Sequence, residues 1–566
     1  MSAKSRKWGD ARLFFIIFAF LLGFLVIVAR LINIQIVKAK EYESLAKKQR
    51  IRSIEIAPRR GNVYDRNDDI LATSIDTTTV YANPYFIKDA ESVAAQISQI
   101  LGIEKKIILD KLNKDCGFVY LARKIGQSES ERIKALQIEG VYFLRESKRC
   151  YPCDELGSHV IGFVGVDNEG LTGLEMFYDD ILKGLSGHLL VEKDPKGRSI
   201  STGVYELSPS TEGKNIYLTI DKDIQFKAQA ELNGCVEEYG AKSGNAIVIK
   251  PKTGEILAMA SYPSFNLNEY GEVNSSSFRN RAVTDSFEPG STIKMIIGAA
   301  ALEERIYKPS DVFRLPSSIK IADRLISESH ARQTEDFTLT RIIAESSNVG
   351  IVKIGQKLGK EKICDYLSLF GFGQKTGIDF PGEAIGYVPP SEQWSGSTIG
   401  NIPFGQGMSA TSLQVLQSFA IIANDGLQVK PCLLKKITDL NGKTIKEVMP
   451  AQGKKILSSS TAQQMKEILE KVTTDGTGKN AQIAGYRVAG KTGTAQKPGE
   501  NRKGYEKGKY VASFVGFAPI EEPQLAIIIV IDEPKGNIYG GSIAAPVFKN
   551  LTEFSLRHLK INPDKD

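Results

Sequence analysis

The chain has 566 residues, of which 42% are hydrophobic and 25% are charged, so it is long enough for two or three domains with sizeable cores. Its net charge of +7 is mild and scattered along the chain, which argues against nucleic-acid binding. Six cysteines and four histidines without an HExxH run predict no metal site and no cofactor. Cys150 and Cys153 are either a disulfide formed outside the cytosol or two ordinary thiols.

The first predicted element is a membrane anchor. Residues 13–29 read LFFIIFAFLLGFLVIVA without a charge, and the apolar character continues past Arg30 to residue 36. This length crosses about 30 Å of hydrocarbon as a helix, and no small-residue cleavage site follows it. We therefore predict a cytoplasmic tail at 1–12 and an uncleaved single span at 13–36 in the cytoplasmic (inner) membrane. Basic residues flank both ends, but a single span usually translocates one large C-terminal region, which predicts a periplasmic location for the rest.

A non-catalytic module is predicted from residue 37 to residue 213. Its first part, 37–50, is polar and helix-prone. Short β-rich runs then alternate with helical pieces, the former at 78–81, 119–121 and 188–192 and the latter at 90–101 and 128–136. No cluster of catalytic residue types occurs there, and the turn-forming run 208–213 ends the module.

A second domain is predicted over residues 214–557, followed by a C-terminal tail at 558–566 that we expect to be frayed from residue 560. A helix is expected at 221–239, and the runs 245–250 and 255–261 form a hairpin pattern. A helical middle section is predicted at 291–370, and three consecutive strands at 487–496, 511–519 and 525–532. Strands on both sides of a helical block predict an α+β fold, with an antiparallel sheet covered by helices.

Three short motifs supply what a serine acyltransferase without a catalytic histidine needs. These needs are a serine on a rigid element, a lysine that takes its proton, and donors for the developing oxyanion. Each motif occurs three times, so one match alone is weak. The matches are Ser-x-x-Lys at Ser44, Ser291 and Ser317, Ser-x-Asn at Ser243, Ser264 and Ser346, and Lys-Thr-Gly at Lys252, Lys375 and Lys491.

Sequence context favours Ser291 as the nucleophile. Only this serine opens a run that is apolar almost all round, at 293–302, which predicts a buried helix that fixes Ser291 and desolvates Lys294. To act as the base, Lys294 must be neutral, so its pKa must fall by roughly three units through desolvation and a second nearby cation. The alternative is a lysine that extends to the surface. Ser44 lies in a charged segment beside the membrane, and Ser317 in a surface strand or loop.

The partner motifs follow in order along the chain. Ser346 and Asn348 lie between two helical runs, where a hydroxyl and an amide can relay a proton and bind a peptide, although a polar turn between helices has the same pattern. Lys491 and Gly493 share one face of a predicted strand, so a cation meets a substrate carboxylate while the bare glycine admits the acyl group. Lys252 and Lys375 lie at a hairpin tip and in a glycine-rich loop, and both look structural.

The chain resembles the class B penicillin-binding proteins in runs that extend from the anchor almost to the C-terminus. These runs are RGNVYDRNDDILA at 60–72, RCYP at 149–152, GLTGLE at 170–175, LTID at 218–221, NRAVTDSFEPGS at 280–291, TGIDFPG at 376–382 and FGQG at 404–407. One departure is Asp68-Asp69, where the family usually has a glycine in the turn.

The resemblance implies a peptidoglycan D,D-transpeptidase. Ser291 would be acylated by the D-Ala-D-Ala end of a stem peptide, with Lys294 as the base and with Ser346 and Asn348 completing the proton path. Lys491 and Thr492 would hold the terminal carboxylate, beside Gly493. The backbone N–H groups of Ser291 and Thr494 would form the oxyanion hole. A second stem peptide would resolve the acyl-enzyme into a crosslink, and β-lactams would acylate the same serine.

Within class B, Ser-Ser-Asn followed by Val349-Gly350 resembles the septal branch. That implies a glycosyltransferase of the SEDS family and other division membrane proteins as partners. The alternatives are an elongation-type transpeptidase, a D,D-carboxypeptidase or β-lactamase, and a β-lactam sensor without crosslinking activity. A bifunctional class A enzyme is disfavoured, because residues 51–211 lack the glutamate-centred glycosyltransferase motifs.

Overall fold

The computed structural model describes residues 3–56, 58–192, 205–450, 453–499 and 504–564. The chain forms two compact units. Unit 1 comprises Met1–Pro58, Asp76–Ser147 and Leu185–Thr211, and unit 2 comprises Arg59–Ile75, Lys148–Gly184 and Glu212–Asp566. The units thus differ from the single boundary predicted at residue 213, because two segments of the predicted non-catalytic module pack with unit 2.

The elements up to residue 208 match most of the predicted strands and helices. In chain order they are α1 (Ala3–Ile32), α2 (Ala39–Arg50), β1 (Ile51–Ile56), β2 (Val63–Tyr64), β3 (Ile70–Ala82), α3 (Ala90–Leu101), α4 (Lys105–Leu112), β4 (Val119–Ile125), α5 (Gln127–Ala135), β5 (Val141–Cys150), α6 (Ser158–Ile161), α7 (Gly173–Phe177), α8 (Asp179–Leu182), β6 (Gly187–Glu192) and β7 (Tyr205–Ser208).

The elements from residue 215 onward are, in chain order, β8 (Asn215–Leu218), α9 (Lys222–Glu238), β9 (Ser243–Ile249), β10 (Ile256–Tyr262), α10 (Arg281–Thr284), β11 (Ser286–Phe287), α11 (Lys294–Glu303), β12 (Val312–Leu315), β13 (Ser318–Ile321), β14 (Arg324–Ser327), β15 (Glu335–Thr338), α12 (Leu339–Ala344), α13 (Asn348–Leu358), α14 (Lys360–Leu369), β16 (Ala410–Thr411), α15 (Ser412–Ala423), β17 (Leu434–Thr438), β18 (Thr444–Glu447), α16 (Ser459–Thr474), β19 (Ala489–Pro498), β20 (Tyr505–Ala518), β21 (Leu525–Asp532) and α17 (Gly540–His558).

The N-terminal helix is long and apolar enough to cross a membrane. The candidate span covers Ala11–Val37, which contains the predicted anchor, and among the described residues it is the one helix that meets this criterion. α1 continues into a π-helical turn at Asn33–Val37. Large apolar side chains such as Phe14 and Phe20 are about three-quarters exposed, as expected for a helix whose surroundings are hydrocarbon rather than protein.

Unit 1 contains a small α/β core. From Thr78 onward β3 pairs antiparallel with β4, and α3, α4 and α5 contribute apolar side chains to one cluster with these strands. Asp89 begins α3, because its side chain accepts a hydrogen bond from the backbone N–H of Ser92, and left-handed Gly102 ends that helix. β1, β6 and β7 form a separate antiparallel sheet.

Unit 2 is built on a five-stranded antiparallel sheet in the order β10-β9-β21-β20-β19. β9 is buried at every residue because both faces of the sheet are covered. Ala246 and Val248 pack in a cluster with α9 and α17, whereas Ile247 and Ile249 pack in the cluster that contains α11 and α15. The predicted hairpin, the three C-terminal strands and the α+β fold are confirmed.

A second sheet of unit 2 draws on the segments that were assigned to the non-catalytic module. β8 pairs antiparallel with β17 and parallel with β2, where Val63 is opposite Ile216. Three of the sequence runs meet close by at one buried carboxylate. Glu175 accepts from Arg60 Nε at 2.6 Å and from Arg149 Nε at 2.7 Å, and all three side chains are at most 2% exposed. This buried ion-pair network joins the three runs in the folded protein.

The Asp-Arg-Asn turn keeps its geometry without glycine. Asp68 has φ +71°, in the left-handed region, which aspartate tolerates better than most residues. Asp65 Oδ1 accepts from the backbone N–H groups of Asn67 and Asp69 and so closes the turn around it. The missing glycine therefore costs backbone strain at Asp68 but leaves the turn in place.

Two sequence predictions are corrected. The helical section predicted at 291–370 is interrupted by two antiparallel ribbons, β12 with β15 and β13 with β14, because these short alternating runs pair with one another. The predicted frayed tail is held as far as Asp564, whose carboxylate accepts from the backbone N–H groups of Arg487 at 2.7 Å and Ile520 at 3.2 Å. Residues 1–2 of the predicted cytoplasmic tail and 565–566 of the predicted C-terminal tail lie outside the described residues.

Candidate active site

Ser291 lies on a 3-10 turn, Gly290–Ile293, that leads into α11. The turn is packed backbone to backbone against a glycine loop. Gly290, at φ +56°, donates its N–H to the carbonyl of Gly405 at 3.1 Å, and a Cβ at Gly405 would lie 2.2 Å from the Gly290 carbonyl oxygen. Glu288 Oε1 accepts from the N–H of Gly407 at 2.9 Å. These contacts hold the serine on a rigid element, as the sequence predicts.

The Ser291 side chain is half-buried between fully buried neighbours. Among the described residues its hydroxyl has no hydrogen-bond partner, so the expected bond to Lys294 is not formed. Bonds of this kind often tighten only when substrate is bound.

Lys294 is fully buried at the start of α11. Its Nζ donates to the carbonyl oxygen of Ser346 at 2.5 Å, to Asn348 Oδ1 at 2.6 Å and to Ser346 Oγ at 3.2 Å. Burial lowers the pKa of Lys294 to about 7, and the nearby carboxylate of Glu328 opposes that fall. The lysine is therefore a buried amine that is partly neutral near neutral pH, and it does not extend to the surface.

The turn between α12 and α13 presents these acceptors. Ser346 has φ +60°, a strained conformation for a serine that costs about 1 kcal/mol, and its carbonyl points at Lys294. Ser347 caps α13, since its Oγ accepts from the N–H of Gly350. The structure thus brings Ser346 and Asn348 to Lys294, while the serine between them faces the helix.

The Lys-Thr-Gly-Thr run lies on β19. Lys491 is fully buried, and its Nζ donates to the carbonyl of its neighbour Thr492 at 3.2 Å. Burial and the charge of Lys294 lower the pKa of Lys491 well below its ordinary value. Two buried ammonium groups repel each other. In the absence of an anion, the state in which Lys294 and Lys491 are both positively charged is therefore disfavoured.

The hydroxyls of this strand are held by other segments. Thr492 Oγ1 lies 2.7 Å from Thr477 Oγ1, in the turn after α16. Thr494 Oγ1 accepts from the N–H of Gly540, the first residue of α17, at 3.2 Å. β19 and α17 therefore meet at the edge of the sheet where the nucleophile turn also packs.

Gly493 is packed closely against two neighbouring segments. A Cβ at this position would lie 2.2 Å from Ser513 Oγ on β20 and 3.2 Å from Thr292 Cγ2 on the nucleophile turn. The absence of a side chain therefore lets the strand approach both β20 and the turn.

The remaining motif matches have other surroundings. Ser44 is exposed on α2, and Ser317 lies between β12 and β13, as predicted. Ser243 begins the buried strand β9, and Ser264 donates to Glu155 Oε2 at 2.7 Å. Lys252 pairs with Glu522 at the surface. Lys375 lies in a loop outside the helices and strands.

Sequence reasoning missed Glu328, Thr477 and Ser513, which touch the motif residues from distant segments. Thr477 stands in the turn-forming run DGTG at 475–478, which marks a turn but not its neighbour. Asp221, Asp223 and His558 lie close enough together to hold a cation, but Asp221 already accepts two backbone N–H groups as the N-cap of α9. The six cysteines are free thiols, Cys150 and Cys153 included.

The chain is similar in sequence and in fold to several known proteins. A family model described as penicillin binding protein transpeptidase domain matches residues 244–553, and one described as penicillin-binding protein dimerisation domain matches residues 55–218. Stage V sporulation protein D of Bacillus subtilis is 36% identical over 98% of this chain and 87% of the relative. Peptidoglycan D,D-transpeptidase FtsI of Buchnera aphidicola is 33% identical over 99% of this chain and 96% of the relative.

Solved structures give the same result. Penicillin binding protein 3 from Mycobacterium tuberculosis, complexed with aztreonam, has a TM-score of 0.71 at 29% identity and covers 90% of this chain and 98% of that chain. Penicillin Binding Protein 2X from Streptococcus thermophilus has a TM-score of 0.76 at 26% identity, and the match covers 89% of this chain and 80% of that chain.

Proposed function

The chain belongs to the class B penicillin-binding proteins, and from that membership we propose that it is a peptidoglycan D,D-transpeptidase whose nucleophile is Ser291. The observation that carries the assignment of residues is the buried amine of Lys294, one helical turn after Ser291 and bonded to Ser346 and Asn348. Among the side chains that the structure describes, this is the Ser-x-x-Lys lysine that meets a Ser-x-Asn run.

The protonation state of Lys294 fits the role of base. A neutral amine has two N–H bonds, which match the two short acceptors, Ser346 O and Asn348 Oδ1. Its lone pair is then left to take the proton of the Ser291 hydroxyl. A pKa of about 7 keeps a sizeable neutral fraction at neutral pH, so little free energy is needed to prepare the base.

The reaction runs in two acyl transfers. Ser291 Oγ attacks the carbonyl carbon of the penultimate D-alanine while its proton passes to Lys294 Nζ, and the N–H groups of Ser291 and Thr494 stabilise the oxyanion. The C–N bond then breaks, and the terminal D-alanine leaves with the proton relayed through Ser346. The amine of a second stem peptide attacks the ester, loses a proton to the base, and releases Ser291 with its hydroxyl restored.

Lys491 and Thr492 bind the terminal carboxylate of the donor peptide. In the free site, burial and the charge of Lys294 disfavour a charged Lys491. The arriving carboxylate raises the pKa of this buried amine, because it carries the opposite charge, so Lys491 takes up a proton on binding. Thr492 donates its hydroxyl to the same carboxylate, while Thr477 fixes the orientation of that hydroxyl. β-Lactams carry a carboxylate in the same relation to their carbonyl, so they acylate the same serine.

Covalent labelling tests the nucleophile. The full-length protein in detergent is incubated with a fluorescent penicillin, and the labelled band is quantified after denaturing electrophoresis. Ser291→Ala abolishes the band, whereas Ser317→Ala, at another Ser-x-x-Lys serine, leaves it unchanged. A band that persists in Ser291→Ala contradicts the assignment, and rapid turnover of nitrocefin indicates a hydrolase instead of a transpeptidase.

The setting of the reaction is the outer face of the cytoplasmic membrane. The apolar helix Ala11–Val37 anchors the chain, and wall peptides are crosslinked in the periplasmic or external space. A protease added to intact spheroplasts degrades the part that follows the anchor if this orientation holds, and leaves it intact if the orientation is reversed.

Within the family we assign the chain to septal wall synthesis during division, with a SEDS-family glycosyltransferase and other division membrane proteins as partners. The Ser-Ser-Asn-Val-Gly run and the likeness to FtsI support this assignment. A second candidate is wall synthesis during sporulation, which the 36% identity to Stage V sporulation protein D favours. Depletion separates the two, because a septal enzyme is needed for division in growing cells and a sporulation enzyme only in sporulating ones.

A further inference from the structure

Glu328 directly follows β14, and its side chain is only 6% exposed. Its carboxylate accepts three hydrogen bonds. Oε1 accepts from Ser347 Oγ at 2.5 Å and from Arg332 at 2.6 Å, and Oε2 accepts from the backbone N–H of Asn348 at 2.8 Å. A buried carboxylate with this many donors is held in one orientation.

Two of these donors belong to the turn that holds Lys294. Asn348 is fixed at three points, because its N–H binds Glu328, its Nδ2 donates to the carbonyl of Ser327 at 3.1 Å, and its Oδ1 accepts from Lys294. The strained Ser346 stands immediately before the two residues that Glu328 binds. The segment 327–328 therefore determines where the acceptors of Lys294 stand.

Given the function proposed above, we propose that Glu328 is a positioning residue for acyl transfer. Its carboxylate locks the Ser346–Asn348 turn around Lys294 and places a fixed negative charge near that base. Arg332 is the counter-ion of Glu328, and it packs over the ring of Phe337 at 4.5 Å.

The charged surroundings of Lys294 make this role measurable. Glu328 raises the pKa of Lys294, against the effect of burial. Charged groups on the elements packed around α11 either act on the pair of buried lysines or are paired elsewhere. They include Lys491 on β19, Arg341 and Glu345 at α12, which pair with each other, Lys353 on α13, which donates to Arg314 O, Lys362 on α14, which pairs with Glu304, and Lys466 on α16, which pairs with Asp425.

Two charge-changing variants test the proposal in opposite directions. Glu328→Gln keeps a side chain of the same shape and removes the negative charge, so the pKa of Lys294 falls. Arg332→Gln leaves the carboxylate without its counter-ion, so the pKa of Lys294 rises. The rate constant for acylation by a fluorescent penicillin is measured on the full-length protein from about pH 5.5 to about pH 9, around the expected midpoint. The acid limb of the pH–rate profile is the range in which the rate constant falls as the pH is lowered. Its midpoint moves to lower pH by about half a pH unit or more in Glu328→Gln and to higher pH in Arg332→Gln.

Glu335→Gln is the matched control, since Glu335 lies close by in the chain, on β15 of the neighbouring ribbon, but is 43% exposed and pairs with Arg341. Its acid limb stays at the wild-type position. If both Glu328→Gln and Arg332→Gln lower the melting temperature without moving the limb, Glu328 has a structural role only and the proposal is wrong. A wild-type protein that takes no label at any pH contradicts the proposed function instead, so the two failures are distinct.

Discussion

Nζ of Lys294 at the start of α11 lies 2.6 Å from Oδ1 of Asn348 at the start of α13. This bond joins two motifs that lie far apart in the chain, and it links the first residues of two helices, of which Lys294 is fully buried and Asn348 is half-buried. The carbonyl of Ser346 and the amide oxygen of Asn348 together fix the position of the amine. The proposed base is therefore oriented before substrate arrives, which lowers the reorganisation needed in the transition state.

The rate of acylation is expected to follow the neutral fraction of Lys294. Below a pH of about 7 the amine is protonated, so the rate constant falls about tenfold per pH unit, and above that pH it levels off. Stopped-flow acylation by a chromogenic β-lactam across this range measures the limb. Lys294→Arg cannot lose its proton, so we expect a loss of about 10²-fold or more at every pH. A flat profile in the wild-type protein contradicts this assignment of the base.

Removal of the Thr477 hydroxyl is expected to weaken binding of carboxylate-bearing ligands. Thr477→Val breaks the 2.7 Å bond to Thr492 Oγ1 and frees that hydroxyl to rotate, at a cost of about 1 kcal/mol, which is about fivefold in the apparent dissociation constant of a β-lactam. The acylation step itself changes little. Thr474→Val is the control, since its hydroxyl bonds only to the carbonyl of Glu470. Equal effects of the two substitutions indicate a general loosening of the end of α16.

Gly493→Ala is expected to separate β19 from its neighbours. The added methyl group meets Ser513 Oγ at 2.2 Å, so the strand shifts and acylation slows by about tenfold or more, since small displacements of reacting groups have large effects on rate. Ser513→Ala removes the obstructing oxygen, and in the double variant it restores part of the rate. A double variant as slow as Gly493→Ala shows that Thr292, at 3.2 Å, is the limiting contact.

Glu175→Ala is expected to destabilise the protein strongly. Arg60 and Arg149 lose their shared buried partner, and an uncompensated buried charge costs about 3–5 kcal/mol. Urea unfolding is monitored by the loss of penicillin labelling, and we expect a lower midpoint urea concentration for Glu175→Ala. Asp180→Ala, at an exposed carboxylate on the next short helix, α8, leaves the midpoint close to that of the wild-type protein. A small effect at Glu175 means that solvent reaches the two arginines.

Elements with a strong local pattern could be predicted from sequence. The hairpin of β9 and β10, the three C-terminal strands and the buried helix after Ser291 all have continuous apolar runs with turn residues between them. The ribbons at 312–338 have runs of four residues, too short for periodicity to separate them from helix. Glu328 gave no signal, because it stands in a mixed polar run and gains its role only from tertiary contacts with Ser347 and Asn348.

We expected Lys294, Ser346 and Asn348 to lie together, and in the structure Lys294 donates hydrogen bonds to both of the other residues. Their catalytic roles, and those of Ser291, Lys491, Thr492 and Thr494, stay predictions for the experiments above to test. The close approach of Ser513 and Thr292 to Gly493 could not be predicted, since strand periodicity shows which face a residue shares but not what stands opposite it.

The strand order of the five-stranded sheet places a needed strand far along the chain from the proposed catalytic residues. β9, near the start of the catalytic region, pairs with β21, whose last residue is Asp532. Ser291, Lys294 and Asn348 are all synthesised long before that partner strand exists. A chain cut short before residue 525 therefore carries Ser291, Lys294 and Asn348 without the strand that pairs with β9, and we expect such a chain to take no label from a fluorescent penicillin.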